Sequence, residues 1–144
     1  MTNEIHGHTG IYSIIGAKMG IRALEFFHVG VNNIKATSYT GTKPPLSCLN
    51  DGVQISSGAT IGQGLITIAD TVLNIPTLIF ECNNQIIKMT LKENIAHQMQ
   101  EDIKIGIKNY GMSDEYWHYI EDVAIKYWDV YDRHEIFDIE KLSE

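Results

Sequence analysis

The chain has few cysteines, few prolines, no cluster of positive charge and no long apolar run. Two cysteines in 144 residues, Cys48 and Cys82, cannot build the cross-linked frame of a small secreted domain. A reduced, cytoplasmic setting is the expectation. The opening MTNEIHGH has neither a basic start nor an apolar stretch of the kind that directs secretion, which fits the same expectation. No apolar run nears the roughly 18 residues that a spanning helix needs, so no membrane is expected. Lys and Arg total 11 against 18 Asp and Glu, for a net charge of -7. The imbalance is local: residues 1–92 hold six basic against five acidic residues, and residues 93–144 hold five against thirteen. Nucleic acid is not an expected partner, because phosphate binding needs concentrated positive charge. The acidic C-terminal third reads as solvated helix faces.

What is present suffices for one domain. A 44% hydrophobic chain of this length can bury its own core. Apolar residues recur at helical spacing over 11–29, where Gly16 and Gly20 share a face suited to close backbone packing. Residues 34–40 are β-branched and bounded by turn formers, so they read as a strand. Pro44-Pro45 forces an extended approach to Ser47, a plausible cap for a helix over 48–57 that Gly58 ends. GATIGQG, residues 58–64, lacks the Gly-Lys-Ser/Thr ending of a nucleotide loop and reads as a turn-rich connector. Strands are expected at 65–69, 77–81 and 85–91, the last two joined through Cys82-Asn83-Asn84. Helices follow over 92–108 and from the Ser113 cap through Tyr131. There Tyr116, Ile120, Val123, Tyr127 and Tyr131 form one stripe, and Trp117, Ile120, Ala124 and Trp128 another, read as core or subunit interface. The order implies an α+β fold: a mostly antiparallel sheet packed by helices, with a helical C-terminal segment. We divide it into a core over 1–92 and a helical extension over 93–144 packed on the same domain.

Two segments carry candidate chemistry. HGHTG, residues 6–10, puts His6 and His8 on one side of an extended strand, as two ligands of one metal ion would be. Cys48 falls at the expected start of the second helix, where unpaired amides favour a thiolate. Asp51 and Gln54 follow at steps of three, on the same helix face. Thr60 can add a hydroxyl to a pocket formed by Cys48 and the histidines. His28, His97, His118 and His134 have no partner at ligand spacing and read as structural, as does Cys82 at a strand end.

Together the segments HGHTGIYSIIGAKMGIRA and CLNDGVQISSGATIGQGL resemble the FmdE family, named for a component of formylmethanofuran dehydrogenase. His6, Gly7, His8, Gly16 and Arg22 match its first motif. Cys48, Asp51, Gln54, Gly58, Thr60, Gly62 and Gly64 match its second. The resemblance covers about residues 5–90. The family's first-motif cysteine falls on Gly10, its Pro-Gly on Ile11-Tyr12, its second-motif cysteine on Ala59 and its lysine on Gln63. The resemblance implies a compact α+β core with a metal-capable pocket, often in a dimer. Some members add a C-terminal zinc finger, which this chain lacks the cysteines to form. The expected site is therefore a divalent transition metal, zinc by its nitrogen and sulfur donors, held by His6, His8 and Cys48 with an open position for a small-molecule ligand. Gln54 and Thr60 would line the pocket, and Cys48 and Asp51 are the candidates for chemistry. Two alternatives stand beside it. One is a non-catalytic accessory or homodimerising subunit of a molybdenum or tungsten formylmethanofuran dehydrogenase-like system. The other is a thiol enzyme built on Cys48.

Overall fold

A computed structural model describes residues 10–111 and 113–142. Helix α1 (Ile11–Phe27) opens on Gly10, whose amide donates to Ser13 Oγ at 3.2 Å while the Ser13 hydroxyl donates back to the Gly10 carbonyl at 2.9 Å. It ends at His28, which takes the left-handed conformation and caps it. Strand β1 (Lys35–Ser38) precedes a single 3-10 turn (Leu46–Cys48) that runs into α2 (Leu49–Ser57). Then come β2 (Ile66–Ile68), β3 (Thr77–Cys82), β4 (Gln85–Leu91), α3 (Glu93–Tyr110), α4 (Asp114–Val130) and β5 (Phe137–Lys141).

The sheet order is β2-β1-β3-β4-β5. All neighbours are antiparallel except β1 and β2, which α2 connects as a parallel crossover. The α+β fold and the mostly antiparallel sheet agree with the sequence pattern. Asn83 and Asn84 carry the positive φ angles of the β3–β4 turn, while Cys82 belongs to the strand and pairs with Gln85. Strand β5 is an element that the sequence pattern did not suggest. Phe137 pairs with Leu91 and Ile139 with Met89, so the last segment joins the sheet as an edge strand rather than staying helical.

One face of the sheet buries Ala36, Leu78, Phe80, Ile87, Met89 and Leu91 under the helices. The core continues without a break into Met99, Tyr116, Ile120, Tyr127 and Phe137, so α3, α4 and β5 share it with α1, α2 and the first four strands. The first aromatic stripe of α4 is thus core at Tyr116, Ile120 and Tyr127, while Trp117 and Trp128 of the second are exposed. Helices α1 and α2 cross at backbone contact: a Cβ on Gly16 would fall on the Leu49 carbonyl, and one on Gly52 on the Ser13 carbonyl. This close approach brings the start of α2 against α1.

Lys18 is buried at 6% exposure, yet it is satisfied. Its ammonium donates to the carbonyls of Trp128 at 2.8 Å and Tyr131 at 2.7 Å, and it sits 4.6 Å over the Trp128 ring. A cation there matches the negative end of α4.

Candidate functional site

Cys48 stands at the junction of the 3-10 turn and α2, half-buried. Its position is set from both sides. Upstream, its amide donates to the Pro45 carbonyl at 3.1 Å. Downstream, the buried Asn50 ties α2 to the end of β1: Oδ1 accepts from the Ser38 hydroxyl at 2.5 Å and from Thr40 at 3.0 Å, and Nδ2 donates to the Gly41 carbonyl at 3.1 Å. Nothing local in the sequence marks Asn50, because its hydroxyl partners lie ten and twelve residues earlier, on and just after a strand.

The helix start differs from the expected one. Ser47 makes no capping bond, and Cys48 itself occupies the cap position in a helical conformation. The 3-10 turn already engages the Cys48 amide, so the thiol does not face a row of free amides. Burial pushes the thiol pKa up, and the charge of Asp51 pushes it further. The expected thiolate-favouring environment is therefore reversed in the free protein.

Cys48 lines a groove of 460 Å³ between the start of α1, the Pro44-Pro45 loop and the facing sides of α3 and α4. Gly10 and Tyr12 line it from α1 and its cap, and Ile103, Ile107 and Trp117 from α3 and α4. Asp51, Gln54 and Thr60 line a second groove of 370 Å³ with Val31 and Asn32. The expected edge of Cys48, Asp51 and Gln54 is thus divided between two neighbouring grooves, and Thr60, expected beside Cys48, lines the second.

In the second groove Gln54 Oε1 accepts from the Ile61 amide at 3.1 Å, and its Nε2 donates to the Asn50 carbonyl at 3.3 Å. Thr60 Oγ1 accepts from the Gln63 amide at 3.3 Å. Gln63, standing where the family motif has lysine, donates to Asn32 Oδ1 at 3.2 Å and to the Gly58 carbonyl at 3.4 Å. These amides and hydroxyls shape the 58–64 loop.

His6 and His8 lie outside the described residues. Among the described residues no group of three or more His, Cys, Asp or Glu could hold a metal ion. His28, His97 and His118 are exposed. His134 lies 2.9 Å from Asp132 and 3.3 Å from Glu25, at the surface.

The fold and groove define a class: a small α+β domain in which two helices crossing at glycines present a cysteine to a cleft. The family model described as "FmdE, Molybdenum formylmethanofuran dehydrogenase operon" matches residues 5–134, and the chain belongs to that family. The match extends well past the motifs and takes in α3 and α4. No curated protein matches the chain. Among the described residues no helix is long and apolar enough to cross a membrane.

Proposed function

We propose that this FmdE-family domain binds a transition metal, zinc by donor type, through His6, His8 and Cys48. One observation carries the reading: Gly10 and Cys48 line the same groove, and His8 is two residues before Gly10. Two residues of chain span at most about 7 Å and four at most about 14 Å, so His8 has a short path to the thiol and His6 a longer one that still allows both to meet it. The donor chemistry fits. A thiol held neutral by burial and a nearby carboxylate ionises readily when a cation arrives, and Asp51 then supplies compensating charge one turn away. A bound metal would supply Lewis acidity to a small ligand in the groove. Asp51, one turn along α2 although it lines the neighbouring groove, is the carboxylate we assign to orienting an imidazole or taking a proton.

The test is metal content by mass spectrometry on untagged protein. Wild type should carry near-stoichiometric metal, and both Cys48→Ser and His8→Ala should lose it. Normally folded wild type without metal would overturn the reading.

A second reading rests on the family's description. The tie to a molybdenum formylmethanofuran dehydrogenase operon supports an accessory subunit of such an enzyme system; a cytoplasmic setting is part of this proposal. Exposed Ile125, Trp128 and Val130 near the end of α4 are the apolar residues that a homodimer contact would cover. The thiol-enzyme reading is the least supported, because the surroundings of Cys48 disfavour the thiolate.

A further inference from the structure

A third groove, of 470 Å³, lies at the far end of α1, where its last turn meets the start of β4 and the end of β5. It shares no lining residue with either groove described above. Glu25 is its one carboxylate, and Arg133 neutralises it: Nε donates to Oε1 at 2.6 Å and Nη2 to Oε2 at 3.0 Å. Two cations in the lining have no such match. Arg22 is half-buried, and among the described residues its guanidinium makes no hydrogen bond or ion pair. The Lys141 ammonium sits 5.9 Å over the Phe26 ring, and no described carboxylate pairs with it. The Gln85 amide and the His28 ring complete the polar lining. The negative end of α1 is partly closed, because the His28 amide donates to the Glu25 carbonyl at 3.2 Å and the Val29 amide to Leu24 at 3.1 Å.

We propose that this groove binds a small oxyanion, a carboxylate or phosphate group, between the Arg22 guanidinium and the Lys141 ammonium. A guanidinium fork takes two oxygens of such a group at once, and half-burial limits competition from water. Lys141 adds a point charge across the groove, and Gln85 and His28 add donors. Phe26 and Phe27 give an apolar wall for the carbon part of a ligand. Positive charge left unmatched in a chain of net charge -7 is the feature that singles the groove out.

The experiment is an amide NMR titration of the full chain with inorganic phosphate and, separately, with citrate, each at about 0.15 M total ionic strength so that diffuse attraction is screened. At least one anion should give saturable shifts confined to residues around 22, 28, 85 and 141. Arg22→Gln and Lys141→Gln should each weaken binding about tenfold. Lys104→Gln, on the exposed face of α3, should leave it unchanged. Lys141 is exposed at an edge strand, so its variant keeps the test decisive even if Arg22→Gln fails to fold. Shifts from one anion alone identify the oxyanion taken. Absence of saturation with both, shifts spread over unrelated lysines, or wild-type affinity in the Lys141 variant would overturn the proposal.

Discussion

Asp51 acts on Cys48 through charge, and the effect has a measurable sign. In metal-stripped protein the thiol is held above its ordinary pKa of 9.0 by burial and by Asp51, so alkylation at neutral pH should be slower than for a free cysteine. Asp51→Asn removes one of the two causes. Iodoacetamide should then label Cys48 several-fold faster at pH 7, and an unchanged rate would show that the carboxylate does not act on the thiol. Cys48 and its family-motif neighbours were legible in the sequence. The environment of the thiol was not, because it depends on a 3-10 turn and on walls from α3 and α4 far along the chain. Asn50 illustrates the same limit, since its value comes from Ser38 at the end of β1 and Thr40 just after it.

Helices were legible because a periodic apolar face survives whatever it packs against. Each of the four lies within a few residues of its expected span. The glycine spacing on α1 also predicted close packing, and Gly16 meets the Leu49 carbonyl. Its partner in the crossing is Gly52, where a methyl group has no space beside the Ser13 carbonyl and the Ala17 amide. Gly52→Ala gains helix propensity of up to about 1 kcal/mol. Overpacking against backbone, which cannot rotate away, costs about 1–3 kcal/mol and more where helices must separate. The expected net is a loss of about 2 kcal/mol, read by denaturant unfolding. A stabilised variant would show that the crossing can relax. Strand β5 escaped the sequence reading because the alternation of FDIEK lasts only four residues and three of its five residues are charged, as in an edge strand open to solvent. The parallel pairing of β1 with β2 escaped it too, since three residues of β2 carry no sign of strand direction.

The whole molecule carries a pH dependence from its buried and half-buried phenols. Burial raises the pKa of Tyr12, Tyr116, Tyr119, Tyr127 and Tyr131, and for Tyr127 the hydrogen bond to Asp102 adds to it. The folded state keeps these protons after the unfolded chain has begun to release its own near pH 10.0. Stability should therefore fall as pH rises through that value. Lys18, lowered by desolvation, acts in the opposite direction, but it is one group against five. Tyr127→Phe should be less stable at pH 7 by about 1–2 kcal/mol and lose less on going to alkaline pH. Parallel curves for both proteins would remove Tyr127 from the explanation. At the same scale, the exposed apolar residues of α4 predict association. Sedimentation should find a dimer that Trp128→Asp converts to monomer, and a monomer in both would remove the interface.

The tether from Lys18 to α4 also bears on how the protein is made. The two carbonyls that receive its ammonium lie 110 and 113 residues further along the chain. A ribosome delivers α1 long before either carbonyl exists. During synthesis the first helix must keep Lys18 in water or pair it elsewhere, and the site it finally occupies forms only once residue 131 has left the exit tunnel. Closure of this domain thus waits until α4 is clear of the ribosome, and an incomplete chain that stops short of α4 is marked by an unpaired lysine on α1.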